Sequence, residues 1–78
     1  MQIVVKLYGT LRRFSQADSP GVWQGEVPAH LSLSGLISFL GTQEAEVAAA
    51  AINGVVLPLD TEIPAGATIT LVTPVGGG

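Results

Sequence analysis

Two stretches of alternating apolar residues, one near each end of the chain, constrain the fold most strongly. The first runs from Met1 to Tyr8 and the second from Thr68 to Thr73. In the first stretch Ile3, Val5 and Leu7 form one face, and Gln2, Val4, Lys6 and Tyr8 form the other. In the second, Ile69 and Leu71 share a face. Both patterns predict strands with one buried face, and we expect these strands to lie side by side in the middle of a sheet.

One helix is predicted between these strands. An apolar stripe recurs at helical spacing and comprises Leu33, Leu36, Ile37 and Leu40, widened by Phe39. Ser32 is a suitable N-cap and Gly41 stands where a C-terminal cap glycine belongs. Adjacent parallel strands need a long crossover, and this helix would supply it. We therefore expect an α+β fold, in which a small mixed sheet packs one face against one main helix.

Shorter elements are expected in the intervening segments. Leu11–Phe14 could form one helical turn, and Val22–Val27 predicts a strand that pairs with the first as a hairpin. Asn53-Gly54 favours a type I′ turn between short strands over 48–52 and 55–57. Helical propensity alone would also allow a helix over the alanine run 48–51. Residues 42–47 are expected to form a helical turn or a loop, and 58–67 an irregular connection.

Composition limits the chemistry available to the chain itself. A chain of 78 residues allows one domain, and the absence of cysteine excludes disulfides and thiolate sites. The single histidine, His30, cannot form a metal site unaided, and we interpret it as a solvated loop residue. The carboxylates are too scattered to suggest a catalytic pair. We therefore expect no bound metal and no bound cofactor, and we interpret the lone Trp23 as a packing residue.

Charge and hydropathy indicate the class of partner. The net charge of −3 argues against nucleic acid. No apolar stretch approaches the roughly 20 residues of a membrane span, and no signal peptide is visible, so we expect a cytoplasmic protein without a membrane partner. Only 12% of residues are charged, against about 25% in typical domains. This surface either contacts other proteins or is solvated by neutral polar side chains.

The final segment, Pro74-Val75-Gly76-Gly77-Gly78, has no side chain suited to catalysis. We predict a domain over 1–73 and a flexible tail over 74–78. Five extended residues reach about 17 Å, and glycines fit channels too narrow for other residues. The tail could therefore place the Gly78 carboxylate inside another protein's active site. The alternative is an ordinary frayed terminus.

Three segments of the sequence resemble the MoaD/ThiS family of ubiquitin-like sulfur carriers. They are Leu7-Tyr8-Gly9-Thr10-Leu11-Arg12, Ala50-Ala51-Ile52-Asn53-Gly54, and the ending from Leu71 to Gly78. The resemblance implies the β-grasp fold. The first segment is more similar to the small subunit of molybdopterin synthase than to the thiamine-pathway carriers, which implies a role in molybdenum or tungsten cofactor biosynthesis. Thiamine or another sulfur-containing product is the alternative.

The resemblance also implies the chemistry and the partners. A partner activating enzyme would use ATP to adenylate Gly78, and a sulfur donor would then convert Gly78 to a thiocarboxylate. Gly76 and Gly77 would allow tail access to a narrow channel. The acceptor would be the large catalytic subunit of molybdopterin synthase or an equivalent enzyme, so this chain would be a carrier and not an enzyme.

An outward-facing docking surface is expected beside the tail. Its residues would be Val4, Tyr8, Val72, Pro74 and Val75, with Arg12 and Arg13 at the rim. Each of these could also be an ordinary exposed residue. Two further functions remain open at this point, namely a non-covalent ubiquitin-like interaction module and a covalent modifier joined through Gly78 to a lysine.

Overall fold

A computed structural model describes residues 1–74. These residues form a five-stranded sheet in the order β2-β1-β5-β3-β4. The strands are β1 (Gln2–Leu7), β2 (Val22–Glu26), β3 (Ala49–Ile52), β4 (Val55–Val56) and β5 (Thr68–Val72). The helix α1 spans Leu33–Leu40, and short 3₁₀ helices cover Gly9–Phe14 and Glu44–Glu46. The predicted mixed sheet with one main helix is confirmed.

The first and last strands lie side by side near the middle of the sheet, as predicted. β1 and β5 pair in parallel, with Val5 opposite Ile69 and Leu7 opposite Leu71. All other pairs of neighbouring strands are antiparallel. Because β1 and β5 run in the same direction, the C-terminal ends of both strands lie on the same side of the molecule.

The core lies between α1 and one face of the sheet. Its members are apolar residues from every layer, including Ile3, Val5, Leu7, Leu11, Leu33, Leu36, Ile37, Ile63, Ile69 and Leu71. No polar or charged residue among those described is buried. The apolar faces predicted for β1, β5 and the helix therefore pack together, and burial of this apolar area is the main stabilising term.

Both ends of α1 have satisfied backbone groups. The Ser32 hydroxyl accepts a hydrogen bond from the Gly35 N–H at 3.0 Å, which confirms the predicted N-cap. The N–H groups of Leu33 and Ser34 donate to carbonyls of the connection before β5, at 3.0 and 2.8 Å. At the other end Gly41 adopts the left-handed conformation, with φ of 102°, as a C-terminal cap requires.

The structure corrects one predicted core residue. Phe39 does not widen the buried stripe, because its side chain is 49% exposed. Its ring instead contacts the edge of Trp23 on β2, with ring centroids 5.9 Å apart. The pair lies at the border of the core, where a helix position just off the buried stripe meets the outer strand β2. Trp23 is a half-buried packing residue, as interpreted from the sequence.

Several strands are shorter than predicted. β1, β2 and β5 each end one residue early, and β4 comprises only Val55 and Val56. The alanine run forms β3 and not a helix, because it pairs with β5 on one side and β4 on the other. Asn53 and Gly54 have φ angles of 50° and 86°, which is consistent with the predicted type I′ turn.

The ends of the two central strands define two regions of the molecule. The exit end is the region where β1 and β5 finish, and it includes residues 7–14, 20–22, 46–49 and 71–74. The far end is the opposite region, where β1 and β5 begin. It includes the Asn53-Gly54 turn, the turn at Gly66, and the N-terminus of α1.

Candidate functional site

The site of interest is the tail exit, which we define as Val72, Thr73 and Pro74. Val72 is the last residue of β5, and both Val72 and Pro74 are exposed. Two neighbouring segments form hydrogen bonds with the backbone at Leu71 and Val72, directly before and at the tail exit. The Tyr8 N–H donates to the Leu71 carbonyl at 3.1 Å, and the Ala48 N–H donates to the Val72 carbonyl at 2.7 Å. The direction of the chain at the tail exit is therefore fixed by two neighbouring segments.

Gly9 and Thr73 make the closest approach at the tail exit. Gly9 has a φ of +62°, and a Cβ on this residue would lie 2.0 Å from Thr73 Oγ1. Real Cβ atoms essentially never approach another atom so closely. Two independent requirements thus select glycine here, namely the left-handed backbone and the space taken by Thr73. The missing side chain allows the turn after β1 to pack directly against the last residue before Pro74.

A charged cluster links the two 3₁₀ helices beside the tail exit. The Glu46 carboxylate accepts hydrogen bonds from Arg13 and Thr42, and it also accepts from Thr10 Oγ1 at 2.7 Å. Arg13 Nη2 to Glu46 Oε1 measures 2.7 Å, so the guanidinium binds both carboxylate oxygens. These donors stabilise the charged form and lower the pKa of Glu46 to about 2. The same hydrogen bonding raises the pKa of Arg13.

The structure brings most of the predicted docking residues to the exit end. Tyr8, Arg12, Val72 and Pro74 are all exposed there, with Tyr8 51% accessible. Val4 is only partly exposed and lies farther along β1. Docking through these residues stays a prediction.

The other predicted tail residues, Val75, Gly76, Gly77 and Gly78, lie outside the described residues. Their predicted roles, and the division into residues 1–73 and 74–78, are not addressed by the described structure.

Sequence reasoning missed four residues of this region. Gly9 and Thr73 could not be paired from sequence, because their contact depends on the parallel alignment of β1 and β5. Glu46 was treated as one of several scattered carboxylates. Lys6 was assigned correctly to the same face as Val4 and Tyr8, but it was omitted from the docking surface. The alternation of β1 was the signal that could have included it.

The remaining titratable residues show no catalytic arrangement within the described part of the chain. His30 Nδ1 lies 3.0 Å from Glu62 Oε2, with both side chains largely exposed, as expected for a solvated loop histidine. Residues 1–74 contain no cluster of three or more side chains suited to a metal ion. Within the same residues, no helix has the length and apolar character needed to cross a membrane.

A family model described as the ThiS family matches residues 5–78. The chain belongs to the ThiS family. The match covers nearly the whole sequence, including the glycine-rich ending. ThiS family membership makes this protein a small ubiquitin-like carrier and not an enzyme, and it implies activating enzymes and sulfur-acceptor enzymes as the general classes of partner. No curated protein sequence matched the chain.

Two solved structures support the fold of this ThiS family member. The crystal structure of SAMP1 from Haloferax volcanii matches with a TM-score of 0.68 and 20% sequence identity, covering 100% of both chains. The crystal structure of H. volcanii small archaeal modifier protein 1 matches with a TM-score of 0.70 and 18% identity, covering 95% of this chain and 98% of that chain. At these identities the likeness shows a shared fold, which is the predicted ubiquitin-like β-grasp.

Proposed function

We propose that this protein is a sulfur carrier that works through a thiocarboxylate on Gly78. The observation that carries the proposal is the ThiS family match extending through the glycine ending, which follows the central strand β5 after Thr73, Pro74 and Val75. The carboxylate beside the tail exit, Glu46, is held by hydrogen bonds from Arg13, Thr42 and Thr10 that lower its pKa to about 2, so it is a poor general base for chemistry at Gly78. Catalytic groups are therefore supplied by partner proteins.

The chemistry requires activation, because a carboxylate resists attack by a nucleophile. A Gly78 carboxylate oxygen attacks the α-phosphorus of ATP in the activating enzyme, and pyrophosphate leaves. A sulfide-equivalent donor then attacks the acyl carbon of the adenylate, and AMP leaves with the bonding electrons. The resulting thiocarboxylate donates its sulfur to an acceptor enzyme. Each nucleophilic step replaces one leaving group on an activated acyl or phosphoryl centre.

The structure of the tail exit is consistent with a body that binds the partner and a tail that enters the partner's active site. The folded body holds the chain at Val72 through hydrogen bonds from two sides, and the four residues after Pro74 can span at most about 14 Å. A partner could therefore bind the body at its surface while the terminal carboxylate enters a deeper site. The wide freedom of consecutive glycines suits a narrow channel.

Molybdopterin synthesis is the pathway we favour. The support is the segment from Leu7 to Arg12, which resembles the molybdopterin synthase small subunit. In the structure this segment divides into two roles. Leu7 and Leu11 are buried in the core, while Tyr8 and Arg12 are exposed beside the tail exit. The exposed pair is available to the large catalytic subunit, which would be the sulfur acceptor.

Intact mass spectrometry tests the carrier function. The protein is incubated with its adenylating enzyme, ATP and a sulfide source. We expect the mass of the intact protein to increase by the difference between one sulfur and one oxygen. Fragmentation should place this increase on the C-terminal fragment. A truncated chain lacking Gly77 and Gly78 is the matched control, and it should gain nothing. An unchanged mass of the full chain with an enzyme that demonstrably releases pyrophosphate would contradict the carrier proposal.

Complementation tests the pathway. The gene is expressed in two bacterial strains, one lacking the molybdopterin synthase small subunit and the other lacking the thiamine sulfur carrier. We expect molybdoenzyme activity to return in the first strain and thiamine auxotrophy to persist in the second. The opposite pattern would move the protein to the thiamine pathway and leave the thiocarboxylate chemistry intact.

A second candidate function is covalent protein modification. Its support is that one of the two solved structures with this fold is described as a small archaeal modifier protein. Both functions share the acyl-adenylate, and they diverge at the next nucleophile. Sulfide gives a carrier, whereas a lysine amine gives an isopeptide-linked conjugate. Conjugates that retain a Gly78-to-lysine linkage after denaturation would establish the modifier.

A further inference from the structure

A shallow groove opens at the exit end on the side of β1. It has a volume of about 360 Å³ and is lined by residues from β1, the first 3₁₀ helix and the start of β2. Lys6, Tyr8 and Arg12 line it together with Gly21 and Val22. The groove is distinct from the apolar core, because Lys6, Tyr8 and Arg12 are all exposed to solvent.

The groove concentrates positive charge on an acidic protein. The chain has three basic residues and a net charge of −3. Arg13 is bound to Glu46, and the other two, Lys6 and Arg12, both line the groove. Neither takes part in an ion pair among residues 1–74, and no acidic residue lines the groove.

The walls of the groove are held by the backbone. The Leu7 N–H donates to the Gly21 carbonyl at 2.8 Å, and Lys6 stands directly opposite Val22 in the β1–β2 pair. A Cβ on Gly21 would lie at an ordinary van der Waals distance of 3.7 Å from Arg12 Nε, so the Arg12 side chain packs beside this wall of the groove. Lys6 is thus presented by a strand that is hydrogen-bonded to the start of β2, and Arg12 is presented by the 3₁₀ helix and packs beside Gly21.

The groove adjoins the segment that carries the tail. Tyr8 lines the groove, and its N–H donates to Leu71 of β5. The next residue, Gly9, packs on Thr73. A partner surface seated in the groove would therefore also lie beside the tail exit.

We propose that the groove binds carboxylate side chains of an acidic segment on the activating enzyme. This inference rests on the proposed function, because the activating enzyme must hold the body while Gly78 reaches its ATP. Two cations without acidic neighbours are complementary to aspartate or glutamate, and arginine can bind a carboxylate with two parallel hydrogen bonds. Tyr8 adds an amphipathic contact of the kind found at protein interfaces.

Steady-state kinetics of pyrophosphate release test the groove, with the carrier as the varied substrate. We expect Lys6→Gln and Arg12→Gln each to raise the KM for the carrier about tenfold, which corresponds to about 1.4 kcal/mol, because each variant removes a charge-assisted hydrogen bond to a carboxylate. The kcat should remain near that of the wild type. Added salt should weaken wild-type binding more than binding of the double variant.

Gln2→Glu is the matched control, because it changes the net charge by the same amount as Lys6→Gln. Gln2 lies on the same strand and the same face as Lys6, but at the far end, where its side chain is exposed. We expect Gln2→Glu to leave the KM unchanged. If Lys6→Gln and Arg12→Gln shift the KM no more than this control, the groove proposal is wrong while the carrier function stands.

Two further measurements separate the other outcomes. Equilibrium binding of each variant to the activating enzyme, measured without ATP, tests the groove independently of adenylation. A failure of adenylation would count against the proposed function and not against the groove. A rise in the KM for ATP without a rise for the carrier would assign the cations to nucleotide phosphates. That result would overturn the proposed carboxylate partner.

Discussion

At the exit end of the sheet, a side chain on Gly9 would meet Thr73 Oγ1 at 2.0 Å, whereas at the far end nothing lies within 4 Å of the equivalent position on Gly54 or Gly66. All three glycines have positive φ angles, so their backbones impose the same preference. The difference lies in their surroundings. Glycine at the far end serves turn geometry alone, while Gly9 also permits two chain segments to touch.

Side-chain bonding follows the same division. At the exit end one carboxylate, Glu46, accepts from three residues, whereas at the far end separate side chains make single bonds, such as Asn53 accepting from the Thr68 N–H at 2.9 Å and Ser32 accepting from the Gly35 N–H at 3.0 Å. We infer that the exit end is fixed in position for partner binding. The far end has only to close the fold. Four predictions test this contrast.

The largest effect is expected for Gly9→Ala. A left-handed alanine costs about 1–2 kcal/mol and overpacking costs about 1–3 kcal/mol, so unfolding free energy should fall by about 2–5 kcal/mol in urea denaturation. Gly66→Ala pays only the backbone cost and is the matched control. Adding Thr73→Ala to Gly9→Ala should restore part of the loss. Equal losses for Gly9→Ala and Gly66→Ala would remove the contrast between the two ends.

Asn53→Ala should have the next largest effect, at the far end. The replacement places alanine at a φ of 50° and deletes the hydrogen bond to Thr68, so we expect a loss of about 1–3 kcal/mol. Asn53→Gly removes the hydrogen bond without the backbone strain and should cost less. Thiocarboxylate formation, assayed below the unfolding transition, should be unchanged in both variants. A defect in that assay would show that the far end also contributes to function.

Ser32→Ala tests the helix N-terminus, which also lies at the far end. Loss of the cap to the Gly35 N–H should lower the unfolding free energy by about 0.5–2 kcal/mol. Ser32→Asp keeps an acceptor and should retain most of the stability. Thermal unfolding by circular dichroism measures both variants. No change in Ser32→Ala would mean that the hydrogen bonds to the 59–61 segment suffice to hold α1.

The smallest effect concerns the acid response of the exit end. The pKa of Glu46 is lowered from 4.5 to about 2, so its stabilising contribution is present above pH 4.5 and is lost as pH falls toward 2. We expect the Tm advantage of the wild type over Glu46→Gln to shrink across that window. Carbon-13 NMR of the side-chain carboxyl should give a midpoint near 2. A midpoint near 4.5 would mean that the cluster does not form in solution.

The fold was largely predictable, because its determinants are local patterns. Alternation identified β1 and β5, helical spacing identified α1, and Asn53-Gly54 identified the hairpin turn. Phe39 was assigned wrongly because the sequence sets the period of an apolar stripe more reliably than its width. The width depends on what packs across from it, and Trp23 comes from a different part of the chain.

The site was less predictable, since its contacts join distant segments. Arg13 and Glu46 are 33 residues apart, and no local pattern relates them. Lys6 and Arg12 form one groove only after residues 20–22 have folded against β1. The glycine ending was visible in the sequence because the chemistry proposed for it requires no partner side chain from its own domain.

The parallel pairing of β1 with β5 has a consequence for biosynthesis. A ribosome makes β1 first, yet this strand lacks its central neighbour until Val72 has been added. The sheet therefore cannot close co-translationally around an incomplete chain, and prematurely terminated products that lack β5 would expose the apolar surface that it covers. Such fragments would be substrates for proteolysis, so the cell would retain chiefly those molecules whose synthesis had passed the last strand.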